Sequence, residues 1–416
     1  MCKGNFVNKP MWRSPWGYRE SLVIVAALMA GGWLMQLVGG PFNFYFLHRP
    51  VNYVAAALII LIALLGLPLR DRPAVKWLSG VPLAVSLMGG LLILSLIMGL
   101  TPQMRRLPPH GDVFVQLGFT QVTASWPFVL IYGLTLLSLA MVTVRRLLSP
   151  KKRMVFFLNH AGLWLVLAAA GLGAADREQH VMHVSEGQVE WRVYGDDKQV
   201  LELPLAIRLD DFDMDEYPAK LAIIDRASGT PLPKGKPHLY QIDPDKPEGR
   251  LLGWELTLRE YLHQAVPAGA DNYQASPMPA AVQAVRVLAR DPQTKAIRQG
   301  WVSSGSRYLP VAALTLDDDH LLVMSQPEPK SFTSKIKVFT QGGEEREAVL
   351  EVNKPLRIDG WMIYQSGYDN TAGRMSTYSS FDLVYDPWLY PAYIGLILWA
   401  LGSLGLIYRG KGGGEK

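Results

Sequence analysis

Six stretches of apolar residues, 22–38, 53–69, 81–100, 127–144, 154–174 and 389–408, contain no Asp, Glu, Lys or Arg. Each is about the length, roughly 17–25 residues, that carries an α-helix through a hydrocarbon core. Five precede residue 176 and one closes the chain. Between them the pattern changes from continuous apolar runs to alternation. Val200-Leu201-Glu202-Leu203-Pro204-Leu205-Ala206-Ile207-Arg208-Leu209 alternates after its proline, and 281–288, 335–339 and 381–385 interleave Val, Ile, Phe and Tyr with polar residues. Period-2 runs separated by turn signals such as Ser228-Gly229, Gln341-Gly342-Gly343 and Asp359-Gly360 predict short antiparallel strands. The proline-laden stretch 231–247 reads as a surface loop, and the β-rich segment leaves room for at most one short helix, near 256–263. The expected fold class is therefore membrane α+β: six transmembrane helices, five N-terminal and one C-terminal, with a large extracytoplasmic antiparallel β-sandwich-like domain inserted before the last helix.

Charge orients this plan. The segments 1–20, 70–76, 145–153 and 409–416 carry 15 Lys/Arg against 3 Asp/Glu, and six crossings place all four on one side. That side is cytoplasmic by the positive-inside rule, so the chain reads N-in and C-in in a bacterial cytoplasmic membrane. The segment 175–386 holds 23 Lys/Arg and 32 Asp/Glu, a net −9 on the opposite, periplasmic side. The overall +5 is accordingly a topological signal, and no nucleic-acid partner is expected. The domain divisions are a cytoplasmic tail (1–20), an N-terminal hairpin (21–69), a second helical group (78–174), the β-rich domain (175–386), the last helix (387–408) and a tail (409–416). The first span, behind Lys3, Lys9, Arg13 and Arg19, reads as a retained helix, because Gly39-Gly40-Pro41 is a poor cleavage site. The single cysteine, Cys2, reads as an inert thiol, so the β domain is expected to stand on its own core.

Autonomous hydrolytic, nucleotide-dependent and dithiol chemistry finds no motif: there is no CxxC, CxxCH, HExxH, GxxxxGK[ST] or GxSxG. Ser303-Ser304-Gly305-Ser306 reads as turn. The acidic run Asp210-Asp211-Phe212-Asp213-Met214-Asp215-Glu216 lacks the glycine and terminal glutamate of a calcium loop and reads as a solvated strand end. Two histidines remain. His160 is the ionisable residue of span 154–174, with Phe156, Phe157, Leu163 and Trp164 on its helical face and Gly162 leaving room beside it. A neutral imidazole in such a setting serves either as an axial haem ligand or as a helix-packing residue hydrogen-bonded to a neighbour. His48, in Phe44-Tyr45-Phe46-Leu47-His48-Arg49, stands at the outer entrance to the second span, as a second candidate ligand or an interfacial belt residue. His180 and His183 point to opposite faces of a strand, and His110, His238, His263 and His320 fall in loops; none is given a role.

Three blocks carry a resemblance. Trp126-Pro127-Phe128-Val129-Leu130 runs to Thr143-Val144-Arg145-Arg146-Leu147. Asn159-His160-Ala161-Gly162-Leu163 leads through Gly171 and Gly173 to Val184-Ser185-Glu186-Gly187-Gln188. Glu351-Val352-Asn353-Lys354-Pro355-Leu356 precedes Gly360-Trp361-Met362-Ile363-Tyr364-Gln365-Ser366-Gly367-Tyr368-Asp369, then Asp386-Pro387-Trp388. With Met98-Gly99-Leu100-Thr101 they resemble, over about residues 78–408, the ResB (CcsB) family of system II cytochrome c biogenesis. The resemblance implies a subunit of a haem-attaching complex that has no activity alone. Its partner would be a CcsA/ResC-type membrane protein carrying the tryptophan-rich WWD motif, which this chain lacks. Haem b would be carried across the membrane with axial histidine ligation shared between the two proteins, and presented to CxxCH apocytochrome c. His160 matches the family's His-x-Gly-Leu helix, and His48 is the alternative ligand. The family plan has three spans before the external domain, so 22–38 and 53–69 are additions. Tyr364-Gln365-Ser366-Gly367-Tyr368 is a candidate contact surface or a buried strand. The reading from another class is a haem-free membrane scaffold or sensor whose β domain binds a protein partner.

Overall fold

A computed structural model describes residues 11–104, 112–147, 154–195, 198–269 and 271–411. Cys2, Lys3, Lys9, His110, the basic run Lys151-Lys152-Arg153 and the last tail residues lie outside them. The chain divides into two compact units, Met1–Glu178 with Tyr385–Lys416, and Gln179–Val384.

The first unit is helical: α1 Tyr18–Gly39, α2 Val51–Leu65, α3 Pro73–Leu78, α4 Val81–Leu100, α5 Val113–Gln116, α6 Trp126–Leu147, α7 Met154–Leu172 and α8 Leu389–Lys411. Among the described residues five helices, α1, α4, α6, α7 and α8, are long and apolar enough to cross a membrane. The second expected span is a helix of 15 residues, α2, which turns at Gly66. At a rise of about 1.5 Å per residue it reaches about 22 Å, short of a hydrocarbon core of roughly 30 Å. The apolar run 53–69 thus overstated the helix, because its last residues are spent in the turns that lead to α3.

The helices dock through small and apolar residues. The two N-terminal helices read as an added hairpin each pack on α6, α1 together with α4 and α2 together with α7. Val25, Met29, Leu83, Leu87, Leu94 and Ile131 form the first of these contacts, and Ala63, Ala140 and Met141 part of the second. A Cβ on Gly32 would stand 2.6 Å from the Pro127 backbone, so only glycine permits that approach. The α7–α8 pair is closer still. Added Cβ atoms on Gly162 and Gly402 would lie 2.3 Å from the backbone nitrogens of Trp399 and Asn159 respectively, and Asn159 Nδ2 donates to Ser403 Oγ at 2.7 Å. Small residues that let backbones meet, with one polar side chain bonding across, are the packing means open to helices in lipid. The outward faces keep Leu92, Leu96, Ile394, Ile397 and Leu401 exposed, as lipid contact requires.

Among the described residues the second unit holds four sheets built from antiparallel pairings. In the first, Glu178–Ser185 and Tyr378–Tyr385 are neighbours, so the chain enters and leaves this unit on adjacent strands. This sheet faces the one containing Val200–Glu216 and Pro329–Thr340, where Ser334 Oγ and Ser379 Oγ share a buried hydrogen bond of 2.7 Å. The other two sheets enclose a core of Leu221, Ile223, Leu256, Val285, Val287, Val302 and Leu322. Facing sheets with alternating inward residues give the sandwich-like organisation.

The short helix allowed near 256–263 is not formed; those residues are part of the strand Trp254–Pro267. Trp254, Leu256 and Leu258 are buried alternately, a period of two, and a register shift after Leu258 breaks the pattern that suggested a helical face. The acidic run is, as expected, a strand end, the last seven residues of Val200–Glu216. Phe212 and Met214 point inward, while Asp211 and Asp215 pair across the strands with Lys335 (2.6 Å) and Lys330 (2.9 Å). The loop 231–247 contains one short strand, Leu239–Gln241, paired with Lys220–Asp225.

Candidate functional site

His160 lies two turns into α7, half-buried. Its Nδ1 is 3.0 Å from the Phe156 carbonyl oxygen. A carbonyl only accepts, so Nδ1 carries the proton and the lone pair stands on Nε2. Nε2 has no partner among the described residues. The imidazole stacks on Phe156 with centroids 3.7 Å apart, and the Arg146 guanidinium lies 4.8 Å from the Phe156 ring. Tautomer and ring plane are thus set from one side, leaving the other nitrogen as a donor to an electrophile.

Its neighbours divide their work differently from the helical-face expectation. Trp164 Nε1 donates to the Leu136 carbonyl of α6 at 3.1 Å. The space a side chain at Gly162 would take is occupied by the α8 backbone.

His48 follows a one-turn 3-10 helix, Phe44–Leu47. Its Nδ1 is 3.1 Å from the Arg49 carbonyl and its Nε2 is 4.0 Å from Asp176 Oδ1. Nδ1 is within hydrogen-bond distance of its carbonyl, while Nε2 is near the Asp176 carboxylate without a hydrogen bond to it. Sixteen residues of α7 and the turn after it separate His160 from Asp176, about 24 Å along a helix, so the two histidines cannot ligate one iron.

The residue missed in the sequence is Asp176. Fully buried, it ends the 3-10 turn Gly173–Asp176 after α7. Asn52 Nδ2 (2.8 Å) and Trp388 Nε1 (2.9 Å) donate to one carboxylate oxygen, and the Arg49 backbone N–H (2.9 Å) to the other. Arg49 Nε stands 3.7 Å away. The knot ties α2, the end of α7 and the start of α8, and Trp388 fits against Gly173, where a Cβ would lie 2.4 Å from the indole. Tyr53 stacks on the same indole. Both carboxylate oxygens that burial denies to water are thereby met by protein donors. The available signal was a lone carboxylate directly after an apolar span.

In the β unit, Trp361–Tyr368 alternates, burying Trp361, Ile363 and Gln365, so within the block 364–368 Gln365 belongs to the core, Ser366 is exposed and Tyr364, Gly367 and Tyr368 are half-buried. Ser306 Oγ accepts from the Tyr308 and Leu309 N–H groups, the behaviour of a turn serine, whereas Ser303 ends the strand Ile297–Ser303, buried, with its Oγ donating to the Gln283 carbonyl. Among the described residues no group of three His, Cys, Asp or Glu is arranged to hold a metal ion.

The class these features define is a multi-helix membrane protein with a large antiparallel β unit inserted before its last helix. Residues 288–383, within that β unit, match the ResB-like family, the one the sequence blocks resemble. No curated protein matches the chain.

Proposed function

We propose that this chain is the ResB-like subunit of a system II cytochrome c synthase, handling haem as cargo with a CcsA/ResC-type partner and presenting it to CxxCH apocytochrome c. The observation that carries the reading is the His160 imidazole: Nδ1–H anchored to Phe156 O, Nε2 free, in an apolar aromatic setting. A carbonyl-bonded second nitrogen is what orients a metal-ligating histidine. Axial ligation by His160 would need a second imidazole from the partner, since His48 lies at the far end of α7. His48 serves in this reading as part of the Asp176 knot. The helical unit supplies a low-dielectric wall, and thioether formation on the apocytochrome belongs to the complex as a whole.

The segregation of basic segments supports an N-in, C-in orientation in the bacterial cytoplasmic membrane with the β unit outside. Six crossings then require α2 to pass through with the help of Leu67 and Leu69 in the turns beyond it, between Arg49 at one end and Arg70 at the other.

The test is the visible spectrum of the detergent-purified chain co-expressed with a WWD-bearing partner. Wild type and His48→Ala should show low-spin bis-histidine haem; His160→Ala should lose it and regain it with added imidazole. Purification without haem in every version, from haem-replete cells, would overturn the proposal in favour of a haem-free scaffold.

A further inference from the structure

The β unit contains a cavity of about 550 Å³ that no step of the reading above uses. Its size falls within the range, roughly 300–1,000 Å³, of small-ligand sites. Two guanidinium groups line it, Arg307 from the loop after Ile297–Ser303 and Arg374 from the turn Gly373–Met375. Neither forms an ion pair among the described residues. This is unusual in a segment whose net charge is −9, where acceptors for a guanidinium are plentiful.

The arginines stand on a prepared frame. With its amide oxygen turned toward Arg374, Gln264 accepts from Nη1 at 2.9 Å and also from Nη2, fixing the plane of the fork. Asp369 Oδ1 accepts from the Thr371 N–H (2.9 Å) and hydroxyl (2.7 Å), setting the chain that leads into Gly373–Met375. Gly305 has φ +63°, and a Cβ there would meet the Val311 nitrogen at 2.8 Å, so the loop carrying Arg307 is folded back tightly on itself.

Part of the remaining wall is apolar and aromatic, while Ser304, Ser306, Gln326, Asn370 and Thr371 add polar groups to the rest. Tyr368 is stacked on Phe212 at 5.5 Å and packs on Phe332 at 5.0 Å, beside Met214 and Met375. The deeper polar side is Gln283, almost fully buried, with its amide oxygen accepting from Ala219 N and Tyr261 OH, both at 2.8 Å. Next to it Glu216 receives only a 3.5 Å contact from Gln283 Nε2. Burial pushes the Glu216 carboxyl up from its ordinary value, the opposite of what a firm ion pair with Arg374 would do.

We propose that this cavity is a binding site for a carboxylate joined to an apolar body, the carboxylate held by Arg307 and Arg374 and the body lying against Tyr368, Met214 and Met375. Guanidinium forks match carboxylates in plane and spacing, and a flat aromatic wall with adaptable methionines receives the attached hydrocarbon. The ligand is a small organic acid or the free carboxylate of a peptide end. The site is independent of His160 and stands whether or not the chain handles haem.

The experiment uses the full chain in lipid nanodiscs, with empty nanodiscs as reference, and reads ligand binding by saturation-transfer NMR and calorimetric titration. Four probes are compared: 3-phenylpropionate, its primary amide, a tripeptide Ala-Leu-Phe with a free carboxylate, and the same tripeptide amidated. At least one free acid should bind, and its amide at least about 10-fold more weakly, the factor expected for one charge-assisted pair. The acid that binds tells the two sources apart. Arg307→Gln, at an exposed position with no fold to lose, and Arg374→Gln should each weaken the acid by about 10-fold; Lys335→Gln, paired with Asp211 outside the cavity, should not. Equal binding of acid and amide, insensitivity to both arginine changes, or no binding of either acid would overturn the proposal.

Discussion

Asp176 and Glu216 are carboxylates withdrawn from water, one in each unit, and they are treated in opposite ways. Asp176 is wholly buried and receives three hydrogen bonds from Asn52, Trp388 and the Arg49 backbone. Glu216 is half-buried at a cavity wall with one long contact. A carboxylate whose acceptor sites are filled by its own chain is a fastening; one left with open acceptor sites beside an empty volume is available to something else. The two histidines of the helical unit differ less: each places Nδ1 on a backbone carbonyl, and they part at Nε2, which in His48 stands 4.0 Å from the Asp176 carboxylate and in His160 meets no partner among the described residues. Satisfaction of hydrogen bonds sorts structural groups from candidate functional ones more sharply than burial does.

The largest expected effect sharpens the first half of that contrast. Asp176→Ala strands the buried Asn52 amide, the Trp388 indole N–H and Arg49, and should cost about 3–5 kcal/mol, read as a lower melting temperature of the detergent-solubilised protein. A loss under about 1 kcal/mol would mean that water or lipid headgroups replace the carboxylate, and Asp176 would no longer count as a fastening.

Next comes the packing that the fastening serves. Gly162→Val places side-chain atoms where the Trp399 backbone stands and should cost about 1–3 kcal/mol. Gly89→Val, where a Cβ meets nothing within 4 Å, is the matched control and should leave the melting temperature in place. Equal effects at both positions would show that α7 and α8 can separate freely.

The smallest effect concerns Glu216, and its sign is opposite. Its folded pKa lies above the unfolded 4.5, so its favourable contribution is complete below about pH 4.5 and is lost as pH rises through the folded value. Glu216→Gln removes that loss and should raise stability at pH 7 by up to about 1 kcal/mol after solvent screening, with less difference at pH 4. A destabilised Glu216→Gln at pH 7 would show that Glu216 is a fastening like Asp176.

Much of this architecture was legible from local pattern. The apolar run 81–100 is α4 residue for residue, and the run from 389 is α8, because lipid imposes continuous apolarity and a minimum length on any helix that crosses it. The alternation in 200–209 is the start of a strand that extends to Glu216. The family resemblance rests on blocks of which 351–369 fall inside the matched residues 288–383. The strand through 256–263 escaped because its bulge interrupts the period of two. The length of α2 escaped because apolar residues in a turn look the same as apolar residues in a helix.

His160 and His48 were visible in the sequence as titratable residues in apolar surroundings, and composition alone supplied the charge that orients the chain. Which of them keeps a free nitrogen was decided only by tertiary structure. Asp176 owes its role to residues 49, 52 and 388, and the cavity to residues from 214 to 375, positions far apart in the chain. Spans and strands are written in the periodicity of neighbouring residues, since solvent and lipid act on each position locally. A hydrogen bond or a pocket wall is a relation between distant residues, and it exists only once the chain has brought them together.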